Sequence, residues 1–158
     1  MVTLVTGPVQ SGKSTTLQKL ADTYPMAGGF CCPKQIQNGE HIGYLIRSIA
    51  TAESVPFAVL QTDKPVGWRE VDTIGPWSFS ETGFAFATSI IRDCWDRNRH
   101  PIFVDEIGPL ELLDRGFATL FRKLLAGPTD LFAVVRHNLV DQVIEHFHIQ
   151  QYTRIDVK

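Results

Sequence analysis

Residues Gly7 to Ser14 read G-P-V-Q-S-G-K-S, and few backbones accommodate that string. It fits the phosphate-loop pattern G-x-x-x-x-G-K-[ST]. Val2 to Thr6 form a short, β-prone and mostly apolar run before it. Leu17, Leu20 and Ala21 follow at helical spacing. A strand, a tight loop and a helix are therefore expected in that order, as the loop's chemistry requires.

Each residue type has a physical task. Gly7 and Gly12 allow backbone angles and close approaches that a Cβ would block. Between them, Pro8, Val9, Gln10 and Ser11 carry the loop, so that consecutive backbone N–H groups can point inward around phosphate oxygens. The helix expected from Lys13 turns its positive dipole end toward the same anion. Lys13 can reach the β- and γ-phosphates, and the Ser14 hydroxyl is the right type to ligate Mg²⁺. Thr15 can hold the α-phosphate from the first helical turn. The competing reading is a chance glycine-rich turn.

The chain has 158 residues, the length of one domain, and a net charge of −2. That charge gives no footprint for nonspecific nucleic-acid binding. No basic segment leads into an apolar core at the N-terminus, and the apolar runs are too short to span a bilayer, so neither a leader nor a membrane partner is expected. Cys31, Cys32 and Cys94 are an odd set without metal-ligand spacing. They read as small buried hydrophobes suited to a reducing, cytoplasmic setting.

A first helix is expected over Lys13 to Thr23, ended by Tyr24-Pro25. Residues 28 to 78 read as a β-rich insertion on the edge of the main sheet. It holds a run from Phe30 to Ile36, the hairpin signal Asn38-Gly39, a return over His41 to Ile49, and short strands at Phe57 to Leu60 and around Val66 to Val71. Helices follow at Ser80 to about Asn98 and at Asp114 to Ala126, each with an apolar stripe. Pro101 to Val104 and Leu131 to Val135 are buried-type strands. Asn138 is read as the cap of a short helix, and Tyr152 to Val157 as a closing strand. Alternating strands and helices point to an α/β fold with a mainly parallel sheet covered on both faces.

The second constellation is Ile102-Phe103-Val104-Asp105-Glu106. A buried strand ending in a carboxylate is the Walker-B arrangement, in which the Asp holds Mg²⁺. The phosphate loop and Asp105 both fall at the carboxyl edge of a parallel sheet, where such folds bind ligands. A second carboxylate directly after it, Glu106, suits a base that orients or deprotonates an attacking water. Arg136 emerges at the same edge after Leu131 to Val135. With that strand beside the first, in an order 5-1-4-3-2 of the five main strands, Arg136 faces the γ-phosphate and can stabilise charge there. A surface arginine is the bland alternative. Arg92, Arg97 and Arg99 compensate a helix dipole, or with Arg115 serve as phosphate clamps. Trp68 and Trp77 are core aromatics or stack on a base. His146 and His148 carry no expected metal role.

With these residues collected, the chain resembles the THEP-type nucleoside-triphosphatases, small P-loop enzymes. The resemblance rests on T-G-P-V-Q-S-G-K-S-T, on V-D-E-I-G-P-L-E-L from Val104 to Leu112, and on G-G-F…G-E-H-I-G-Y between them. It implies a RecA-like variant of the P-loop α/β fold. It also implies Mg²⁺-dependent hydrolysis of nucleoside triphosphates with tolerance of several bases. Asp105 matches the family's metal carboxylate, Glu106 its catalytic carboxylate, and Glu111 a motif position. Gln10 stands where family loops commonly carry glycine, and Ser14 replaces the more usual threonine.

The leading expectation is a nucleoside-triphosphatase acting on ATP, GTP and others. A nucleotide or small-molecule kinase shares the phosphate loop. A slow nucleotide-dependent switch or nucleic-acid-modifying partner protein shares the fold, though the charge counts against nucleic acid. An oligomer is compatible with the sequence but not indicated by it.

Overall fold

The computed structural model describes residues 1–158. Ten strands form one sheet. The first strand, β1 (Val2–Thr6), enters the phosphate loop and then helix α1 (Lys13–Asp22). Next come β2 (Gly28–Cys31), β3 (Lys34–Gln37), β4 (Glu40–Ser48), β5 (Ser54–Leu60), β6 (Glu70–Ile74) and β7 (Trp77–Ser80). Helix α2 (Glu81–Asp96) leads to β8 (Ile102–Ile107), and two helices follow, α3 (Pro109–Leu112) and α4 (Ala118–Ala126). The chain closes through β9 (Leu131–Val135), α5 (Val140–His146) and β10 (Thr153–Asp156).

The order is β10-β1-β9-β8-β2-β4-β5-β7-β6, with β3 paired to β4 off that path. The first five are parallel to one another, and the rest extend the same sheet antiparallel. For the five main strands this is the expected 5-1-4-3-2. Strand β9 and the first half of β8 read as continuous apolar runs because both faces are covered, whereas the edge strand β10 is largely exposed. Helix α1 lies on one face, where Leu17 and Ala21 pack with Val5, Phe103 and Val134. The other face buries Leu4, Phe30, Ile102 and Val104 under residues of α2, α4 and α5. No helix is long and apolar enough to cross a membrane.

Several local expectations change. The run Phe30 to Ile36 is two strands, broken at Cys32-Pro33, because proline cannot continue a ladder. The strand expected around Val66 to Val71 begins only at Glu70, runs to Ile74 and pairs with a further strand, β7. That pair is read poorly from sequence because Pro65, Gly67, Gly75 and Pro76 crowd it. The helix expected from Asp114 starts at Ala118. Asp114 (φ 59°) and Gly116 (φ 58°) are left-handed and form a turn instead. Asn138 caps nothing: it lies inside a 3₁₀ turn, His137–Leu139, and the α5 N-cap is Leu139, with no side-chain hydrogen bond.

Candidate active site

The loop needs its two glycines for different reasons. A Cβ on Gly7 would collide with the Val157 carbonyl and stand 2.7 Å from Ser11 Oγ. Gly7 therefore answers to the chain beyond β10, whose Val157 N–H donates to the Thr6 carbonyl at 2.7 Å. Gly12 has open space around it but a φ of 87°, which only glycine adopts freely. Gln10 is also left-handed, at φ 62°, the conformation that a glycine at that position would take without strain.

Lys13 folds over the loop, its Nζ donating to the Gly7 carbonyl at 3.0 Å and the Pro8 carbonyl at 3.1 Å. Ser14 stands in the first turn of α1 and donates through Oγ to Asp105 Oδ2 at 2.6 Å. That oxygen also accepts the Cys32 backbone N–H at 3.0 Å. Asp105 is 1% exposed, and its other oxygen, Oδ1, is buried without a partner. Burial first, and Glu106 beside it second, push the Asp105 carboxyl up to about 6, against the Ser14 hydroxyl, the Cys32 N–H and Lys13.

Strand β8 places the acidic pair by breaking its own ladder. Ile102, Phe103 and Val104 pair in register with β9, and pairing resumes only at Ile107↔Val135. Asp105 and Glu106 occupy the irregularity, the kind of device that re-aims side chains at a sheet edge. Arg136 follows β9, which does lie beside β1. Its backbone N–H donates to the Ile107 carbonyl at 3.2 Å, and its Nε lies 3.4 Å from Glu106 Oε1. Both side chains stay partly exposed, Arg136 at 43% and Glu106 at 36%.

Two roles were hidden in the sequence. Cys32 is not simply a small buried hydrophobe, since its thiol contacts the Asp105 carbonyl oxygen at 2.7 Å while its N–H holds the carboxylate. The available signal was its place just past β2, the strand beside β8. Glu111 is an anchor: Oε1 accepts the Gly108 N–H at 2.8 Å and Oε2 the Phe117 N–H at 2.9 Å. It thereby fixes the turn after β8 and the approach to α4. Gly108-Pro109 was the legible mark of the short α3, with proline at its first position.

Other candidates fall elsewhere. Arg92, Arg97 and Arg99 follow the C-terminal half of α2 toward the start of β8, at the sheet edge opposite the loop, so they do not clamp a nucleotide there. Arg115 pairs with Asp72 at 3.2 Å. Trp68 donates to Ser78 Oγ at 2.9 Å, and Trp77 packs on His41 and Tyr44 with ring centroids 4.9 and 5.2 Å away. His146 is held by Asp114 at 2.9 Å.

A phosphate loop, its lysine and an acidic strand end at one sheet edge define a nucleotide-handling enzyme of the P-loop class. The chain belongs to the NTPase family, whose model matches residues 2–157. It is 28% identical over 145 residues to the nucleoside-triphosphatase THEP1 of Thermotoga sp. (strain RQ2), covering 86% of this chain and 74% of that protein. Against the nucleoside-triphosphatase THEP1 of Methanothermobacter thermautotrophicus it is 26% identical over 147 residues, covering 90% and 80%. The crystal structure of THEP1 from the hyperthermophile Aquifex aeolicus superposes with a TM-score of 0.76 at 20% identity, over 100% of this chain and 90% of that one. The solution structure of a human cancer-related nucleoside triphosphatase gives 0.69 at 20% identity, over 99% and 88%. At that identity the structural likenesses speak for the fold.

Proposed function

We propose that this chain is a Mg²⁺-dependent nucleoside-triphosphatase, cleaving nucleoside triphosphates to the diphosphate and phosphate with broad tolerance of the base. The observation that carries the reading is Asp105. Its Oδ2 is committed to Ser14 and Cys32, and its Oδ1 is buried with no partner. An unpaired carboxylate oxygen beside a loop hydroxyl fits a hard cation. Mg²⁺ would be held by Ser14 and Asp105, and when bound it supplies positive charge to the β- and γ-phosphate oxygens. No three His, Cys, Asp or Glu side chains cluster as a stand-alone site. That suits a cation whose remaining ligands are phosphate and water.

Residues 7 to 15 hold the phosphates through backbone N–H groups and the Lys13 ammonium. Glu106 orients a water for in-line attack and accepts its proton. As the water oxygen bonds to the γ-phosphorus, the bond from that phosphorus to the β–γ bridging oxygen breaks and the diphosphate leaves. Arg136, paired to Glu106, steadies that carboxylate and stabilises the charge developing on the γ-phosphoryl group. A grip directed at phosphates leaves the base largely unread, which supports broad tolerance. The three free cysteines fit a reducing, cytoplasmic setting.

The test is phosphate release from ATP, GTP, CTP and UTP, with and without Mg²⁺. Release from all four that stops on chelation supports the reading. Tight binding without release, or release only onto an added acceptor, overturns it.

A further inference from the structure

A second cleft, of about 300 Å³, opens at the sheet edge opposite the phosphate loop, between the end of β4 and the C-terminal half of α2. Phe86 and Ile90 supply its apolar wall. Its polar lining is rich in donors without acceptors. Arg99 Nε is buried and has no hydrogen-bond partner. Ser48, 5% exposed, accepts the Thr51 N–H through its hydroxyl oxygen, and Thr51 Oγ1 accepts the Glu53 N–H. Both hydroxyl protons are left to donate.

The stem of Arg99 is held in place. Gly28 lets the Arg99 stem lie flat on β2, since a Cβ there would stand 3.1 Å from Arg99 Cβ and 3.2 Å from Arg99 Cδ. The Arg99 N–H closes the α2 C-terminus by donating to the Cys94 carbonyl at 2.9 Å. Proximity to that helix end favours a cation in general, but it gives Nε no acceptor. Of the two acids in the lining, Asp93 is paired with Arg97 at 2.7 Å, and Glu53 is exposed. Arg99 as a whole is partly exposed, but its Nε is hidden from solvent with no acceptor, and that donor is the one an oxyanion would match.

We propose that this cleft binds a small oxyanion, a carboxylate or a phosphate monoester, with an apolar body. Arg99, Ser48 and Thr51 take the oxyanion, and Phe86 and Ile90 take the body. The inference is independent of the hydrolytic reading, because the two sites lie at opposite sheet edges.

The experiment is a residue-resolved ¹⁵N–¹H titration of the whole protein, with inorganic phosphate in one arm and benzoate in the other. Saturable shifts at the amides of Ser48, Thr51 and Arg99 are expected. Phosphate also reaches the catalytic loop, and shifts at Gly12 to Ser14 report that event separately. Arg99→Met weakens the distal event about tenfold or more while leaving the loop event unchanged. Ser48→Ala weakens it by a smaller factor and serves should Arg99→Met fail to fold. Saturation by one probe alone assigns the ligand's acid group. Failure of both to saturate at these amides means that the cleft holds only water, and overturns the proposal.

Discussion

Ser14 Oγ lies 2.6 Å from Asp105 Oδ2, joining the first turn of α1 to the end of β8 across 91 residues of sequence. The Cys32 N–H meets the same oxygen at 3.0 Å. One carboxylate oxygen is therefore fixed from two sides, and the other, Oδ1, is buried with no partner. Replacing Asp105 by Asn keeps the shape but removes the charge. We expect the Mg²⁺ concentration for half-maximal hydrolysis to rise at least tenfold, with the far-UV spectrum unchanged. Metal titration of the phosphate-release rate checks it.

Glu106 differs from Asp105 in being partly exposed and paired to Arg136 at 3.4 Å rather than locked in the core. Glu106→Gln should lower the turnover rate about 10²–10⁴-fold and leave nucleotide binding within a factor of about three. A fluorescent nucleotide analogue measures the binding. Equal losses of binding and turnover would sink the assignment of Glu106 as base.

Gln10 sits at φ 62° without glycine's freedom. Gln10→Gly should stabilise the fold by about 1 kcal/mol, the relief of a left-handed side chain less the entropy that glycine adds to the unfolded chain. Gly7→Ala should do the reverse, because its Cβ meets the Val157 carbonyl. A loss of about 2 kcal/mol is expected. Urea denaturation of the pair separates the two effects.

Glu111 gives stability a pH dependence. Burial pushes its carboxyl up to about 7, against the Gly108 and Phe117 N–H donors that favour the charged form. The folded state therefore binds this proton more tightly than the unfolded state does. Stability from this group is full below the ordinary carboxylate range and falls as pH rises toward 7, by on the order of 3 kcal/mol. Glu111→Gln removes the titrating group. Its stability should change less between pH 5 and pH 8 than that of the wild type. Denaturation midpoints at the two values decide it.

The phosphate loop and the acidic strand end were legible because each is a local pattern with one physical meaning. Sheet order among the parallel strands followed from them. Cys32 was not legible as a holder of Asp105, because that contact is made by a backbone N–H, and any residue type can supply one. The left-handed Gln10 was hidden for a related reason, since side-chain identity does not report a strained φ. The pair β6 and β7 was lost where four glycines and prolines mask the alternation. In the segment from Asp114 to Phe117, an apolar stripe ran past the true start of α4 because periodicity does not see a turn.

The junction of Ser14, Cys32 and Asp105 also has a kinetic meaning. Its two hydrogen bonds close loops spanning 91 and 73 residues, and such closures are entropically late. In a refolding experiment, helical dichroism should recover before the chain regains turnover. Catalysis then reports completion of the whole parallel sheet, and a truncated or nicked chain that still looks helical should be silent in the assay.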